Sequence, residues 1–136
     1  MGALTTWGRG ALANSLFRPE AAPALGTMWV ALTSVVPVAT DTGDSIVEPK
    51  ASSYERAPYG LGSYFWSSSG PGLLFNVRII DWQMPSDDWG QVTGWVFCTE
   101  STSGMALAFG ALQRPTTITS GMRLRMPPGA VRLSLL

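Results

Sequence analysis

Four acidic side chains stand where paired carboxylates could do acid–base work: Asp81, Asp87, Asp88 and Glu100. A glycosidase would hold two such groups about 5 to 10 Å apart around a sugar. Their settings point elsewhere. Asp87 and Asp88 fall in the loop Pro85-Ser86-Asp87-Asp88-Trp89-Gly90, Asp81 lies near a strand end, and Glu100 opens a hairpin. All are ordinary places for turn acids. Asp41-Thr42-Gly43-Asp44 offers hard oxygen ligands for calcium, but two carboxylates are too few without backbone help, and the spacing is not that of an EF-hand. Histidine is absent, which removes the commonest general base and transition-metal ligand. A serine hydrolase would then need a lysine base, and Lys50 has no motif around it. Cys98, the single cysteine, has no disulfide partner and reads as a small core residue on the strand Val92–Thr99. No glycine-rich phosphate loop leads into a helix with a lysine. The expectation is a chain with no enzymatic activity, cofactor or metal.

The aromatic set remains. Tyr64, Phe65, Trp66, Trp82, Trp89 and Trp95 could form a stacking platform for sugars. Core packing competes with that reading, because neighbours along a strand point to opposite sides and large rings dominate cores and subunit interfaces. Tyr64, Trp66, Trp82 and Trp89 are the candidates for glycan contact. Trp89, in its loop, is the ring expected to be exposed or docked on a neighbour.

The elements that must carry these residues are mostly short strands. Thr5 or Thr6 can cap a helix that presents Trp7, Ala11, Leu12 and Leu16, is weakened by Gly8 and Gly10, and ends at Arg18-Pro19. The period then changes to two over Met28 to Thr33, a strand expected to be buried on both faces. A polar loop spans 38–53. Short strands are expected at Tyr54–Ala57 and Tyr64–Ser67, with a turn over Pro58–Gly62 between them. The longest strand signal runs from Leu73 to Trp82. Further strands are expected at Gln91–Thr99, at Met105–Leu112 with a stop at Arg114-Pro115, at Thr116–Thr119, at Met122–Met126 and at Val131–Leu135. The fold class that follows is mainly β: an antiparallel, jelly-roll-like β-sandwich with one short N-terminal helix. Residues 1–20 form a helical anchor segment and residues 21–136 the β-sandwich domain.

Composition bounds the partners. The 136 residues allow one domain, with 46 % hydrophobic but only 13 % charged side chains and a formal net charge of zero. An average soluble domain carries about 25 % charged residues. Charge balance excludes a basic stripe for nucleic acid and a polybasic membrane anchor. The long uncharged stretches are broken by proline, glycine and hydroxyl residues, so membrane insertion is not expected either. The N-terminus shows no secretory signal. Arginine outnumbers lysine, which has the single position Lys50; arginine is the cation that desolvates more readily at interfaces.

Ordered features carry a resemblance. Asp41-Thr42-Gly43 and Val47-Glu48-Pro49 lead into Tyr54-Glu55-Arg56, then Phe65-Trp66, Asn76 and Pro85. Asp88-Trp89-Gly90 precedes Val92-Thr93-Gly94-Trp95, and Ser103-Gly104, Phe109-Gly110-Ala111-Leu112, Gly121 and Pro128-Gly129-Ala130 close the series. Together, over about residues 41–135, these features resemble a family of small virion proteins of tailed bacteriophages and prophages, labelled tail fibre, minor tail or other structural proteins. Glu55 and Met122 depart from the family's preferences for a small and an acidic residue. The resemblance implies a multi-copy β-sandwich subunit of the tail, neck or fibre region, or a capsid decoration protein, located in the virion and assembled in the host cytoplasm. Its implied partners are further copies of itself and other virion proteins; the aromatic set offers host-surface glycan as the alternative. Trp7, Leu12, Leu16 and Trp89 are the expected interface residues.

Overall fold

A computed structural model describes residues 1–135. The chain is mainly β, with one α-helix among the described residues. The strands are β1 (Gly2–Leu4), β2 (Met28–Thr33), β3 (Ala57–Tyr59), β4 (Trp66–Gly70), β5 (Leu73–Asn76), β6 (Ile80–Asp81), β7 (Gly90–Cys98), β8 (Ala106–Ile118), β9 (Arg125–Met126) and β10 (Arg132–Ser134); the helix α1 spans Thr6–Phe17. Eight strands join in one sheet, in the order β3-β2-β7-β8-β1-β10-β5-β4, and β6 pairs with β9 in a separate ribbon. The pairings are antiparallel except between β1 and β10.

The sheet curls until its two edges meet. Tyr59 on β3 packs edge-on against Phe65 and against Trp66 of β4, at ring-centroid distances of 5.0 and 5.5 Å. The Tyr59 hydroxyl donates to the Phe65 carbonyl, and the Trp66 indole donates to the Gly60 carbonyl at 3.0 Å. Ring contacts thus cover edges that would otherwise offer free backbone groups for pairing. Inside the curl lies the main core, built on Met28, Val30 and Leu32 of β2, Trp95 and Phe97 of β7, and Trp82. Trp95 lies across the neighbouring strands, where a side chain at Gly110 or Gly2 would strike its ring. A smaller cluster of Ala31, Val96, Cys98 and Ala106 sits on the other face, packed under Ile46 of the long loop. This two-sided burial of β2 was the expectation, with Trp29 its half-exposed exception.

Several boundaries differ from the sequence reading. Leu73–Trp82 is not one strand, because Asn76 breaks it. Its amide donates to the carbonyls of Arg78 and Pro127, and its side-chain oxygen accepts from Val131 N–H at 2.9 Å, so the chain is pinned to the 127–131 turn where β5 ends. Arg114-Pro115 does not end β8. Leu112 to Pro115 stand opposite the lone Thr93 in a wide bulge, which absorbs the proline's missing donor before pairing resumes at Thr116 and Val92. The strand expected at Tyr54–Ala57 begins at Ala57 and runs through Pro58, which an edge strand tolerates. The strand expected at Met122–Met126 shrinks to β9.

The helix starts where it was expected to. Thr5 is the N-cap, its hydroxyl accepting from Gly8 N–H at 2.9 Å, and the helix stops before Pro19. The three residues ahead of it form β1, inserted between β8 and β10. The sheet therefore extends into the segment read from sequence as a helical anchor.

Candidate functional site

The four acids of the sequence reading do not converge on a catalytic pair. Asp81 pairs with Arg123 and Arg125 at 2.9 and 3.2 Å. Asp87 accepts from the backbone N–H groups of Ser52 and Ser53 and from both serine hydroxyls. The Ser53 hydroxyl is the main reason its carboxyl lies below the ordinary range. Asp88 accepts from Ser120 N–H at 2.8 Å. Glu100 supplies its carbonyl, rather than its carboxylate, to Arg56. The Asp41 carboxylate is spent within its own loop, on Val38 N–H and the Ser45 hydroxyl. Among the described residues no group of three or more His, Cys, Asp or Glu side chains is placed to hold a metal.

The aromatic platform is also dispersed. Trp82 is fully buried and donates to the Val30 carbonyl at 3.2 Å. Trp89, expected at the surface, is only 6 % exposed. Its indole donates to the Ser53 hydroxyl at 2.9 Å and meets Tyr54 edge-on at 5.2 Å. The loop composition around Trp89 suggested solvent, but Asp87 clasps the 52–53 backbone and draws the ring inward. Trp66 is half-buried at the edge contact. Of the four proposed sugar-stacking rings only Tyr64 is well exposed, and the Arg78 guanidinium lies 3.9 Å above its centroid.

What the motif residues build is a clasp around Arg56. Its Nε and Nη2 donate to the two oxygens of Glu48 at 2.8 and 2.9 Å. Nη1 donates to the carbonyls of Glu100 and Ser103, and Nη2 also to that of Gly43. All five donors of the guanidinium are used. The Tyr54 hydroxyl donates to Glu48 at 2.7 Å and accepts from Leu32 N–H. Burial, then the neighbouring Glu48 charge, pushes the Tyr54 hydroxyl far above its ordinary pKa, so it stays a donor. Burial works against the charge on Arg56, yet the Glu48 hydrogen bond together with the neighbouring Cys98, Glu48 and Tyr54 groups outweighs it, and the net shift is upward. Sequence reading found these residues as an ordered pattern without finding their partnership, because the contacts span 8 to 47 positions.

One concavity adjoins this framework and a second lies beside α1. The first, about 450 Å³, is lined by Trp29 with Glu48, Glu55 and the turn Ser101-Thr102-Ser103 beside the clasp. The other, about 420 Å³, opens between α1 and the inner face of the sheet. Leu12, Leu25, Leu61, Leu74, Leu107 and Leu135 line it, with no charged side chain among its lining residues. On α1 only Gly8 and Ala11 are buried. Leu12 is 38 % exposed, Leu16 66 % and Phe17 83 %. Of the expected interface residues Leu12 and Leu16 are thus on the surface, Trp7 is half-buried, and Trp89 is inside. Phe17, which the sequence reading did not name, is the most exposed of the apolar residues on α1.

No curated protein matches the chain. Residues 3–134 match the family model described as Podophage GP4 fiber I protein gp80. The match spans almost every described residue, from β1 to β10, and agrees with the phage virion resemblance of the sequence. The chain belongs to the podophage GP4 fiber I protein gp80 family.

Proposed function

We propose that the chain is a non-enzymatic structural subunit of a tailed-phage particle, present in several copies in its fibre region. Copies would join through the exposed end of α1. The observation that carries this reading is an apolar, uncharged groove beside a helix whose Leu16 and Phe17 point away from its own domain. A soluble monomer seldom leaves large apolar side chains beside such a groove without a partner. Leu16 and Phe17 of one copy have the size and chemistry to enter the groove of the next, a head-to-tail contact that repeats into a ring or fibre. Low charge suits this, since a domain with zero net charge lacks the repulsion that keeps copies apart.

The test is sedimentation of the wild type against a Leu16→Asp, Phe17→Asp double variant. The wild type is expected to self-associate, and the variant to sediment as a monomer with an unchanged circular-dichroism melt. A wild type that stays monomeric across the micromolar range contradicts assembly through copies of this chain.

A further inference from the structure

We propose that the cavity between Trp29, the Arg56 clasp and the Ser101–Ser103 turn binds a neutral saccharide, one pyranose ring resting on the Trp29 indole. The inference goes beyond the structural role and does not depend on it. Three features support it: an available ring, a rigid set of acceptors, and the lack of a free cation.

The ring comes first. Trp29 stands on the face of β2 opposite Met28 and Val30, is half-exposed, and lines the cavity. Among the described residues its indole makes no hydrogen bond and no ring–ring contact. The indoles of Trp66, Trp82 and Trp89 already donate to their own chain, and Trp95 packs on Phe97. Trp7 lines a shallower dent whose other lining residues include no acidic side chain. Trp29 brings a partly open indole beside the carboxylates and hydroxyls of this cavity.

The acceptors are held in place. Glu48 is fixed by Arg56 and Tyr54 and retains unused acceptor capacity on the oxygen that only Arg56 engages. Ser103 sits in the left-handed region, with φ of 53°, and its carbonyl is tied to Arg56. The turn that brings Ser101 and Thr102 to the cavity is thereby anchored. Acceptors fixed in advance lower the ordering cost of binding. At about 450 Å³ the cavity is within the size range of small-molecule sites and holds one or two sugar rings.

Charge selects the class. Arg56 is the only cation lining the cavity, and every one of its donors is committed inside the protein. Glu48 and Glu55 face an incoming ligand with negative charge. A phosphate, sulfate or sialic acid meets repulsion without a compensating donor, whereas a neutral sugar brings hydroxyl donors and an apolar ring face.

Saturation-transfer NMR on the full chain tests this with five probes: the methyl glycosides of glucose, galactose, mannose and N-acetylglucosamine as neutral sugars, and of N-acetylneuraminic acid as the acidic one. At least one neutral glycoside is expected to bind. Its affinity should fall at least about tenfold in Trp29→Ala and in Thr102→Trp. Thr102 is exposed and outside the core, so Thr102→Trp blocks the cavity without disturbing the fold, and it decides alone if Trp29→Ala does not fold. No transfer to any neutral glycoside, undiminished binding in Thr102→Trp, or equal binding of the acidic glycoside would each overturn the proposal.

Discussion

Arg56 shows at the scale of one residue how this domain spends its few charges. The guanidinium is almost completely buried, and it ties the 43–48 loop to the 100–103 turn through Glu48 and the carbonyls of Gly43, Glu100 and Ser103. Removing it strands the Glu48 carboxylate and three carbonyls together. Arg56→Met should therefore cost about 3 to 5 kcal/mol in urea unfolding. Arg56→Lys should recover only part of that, because an ammonium cannot reproduce the planar fork. Buried protonated groups give a second prediction. Burial pushes the Cys98 thiol up to about 11 from 9.0, and Tyr54 moves in the same direction. In the unfolded chain the Cys98 thiol loses its proton near its ordinary value, while in the folded chain it keeps it. Stability is therefore full below about pH 9 and declines as pH rises from there towards 11. Urea midpoints at pH 8 and pH 10 should differ in that sense, and Cys98 should resist alkylation until the chain unfolds.

Among the elements, α1 gives the sharpest contrast. Its two early glycines looked alike in sequence, both poor helix formers. In the fold they differ. A side chain at Gly8 would collide with the Leu107 carbonyl on β8, whereas a side chain at Gly10 would meet nothing. Gly10→Ala should stabilise the domain by about 0.5 to 1 kcal/mol, and Gly8→Ala should destabilise it by about 1 to 3 kcal/mol in the same denaturation assay. Most strand positions were legible from alternation: β2 matches its expected limits, and β7 lies within a residue of them. The misses have physical causes. Three residues of β1 are too few to show a period, and their strand character comes from the flanking β8 and β10. Asn76 fits an alternating pattern yet breaks its strand through long-range bonds to Pro127 and Val131. Pro115 is a stop signal that a bulge neutralises. The carboxylate and indole candidates were displaced likewise, because Asp87 and Trp89 found partners in Ser52 and Ser53, more than thirty positions away.

For the whole molecule, shortage of charge resolves into geography. The buried ion pair serves the fold, the Asp81–Arg123–Arg125 group decorates the outside of the β6–β9 ribbon, and the groove beside α1 has no charge at all. Membership of a podophage fibre family gives that uncharged side a setting among other virion proteins. The position of β1 inside the sheet also dictates how to probe α1, since trimming the N-terminus would remove a strand along with the helix. Point changes at Leu16 and Phe17 leave the sheet intact. The most direct measurement is cryo-electron microscopy of intact virions that carry the chain, at a resolution that traces α1. Symmetry-related copies are expected in the fibre region, with Leu16 and Phe17 buried in the groove of a neighbour. Copies absent from the particle, or present with the end of α1 facing solvent, would contradict this expectation.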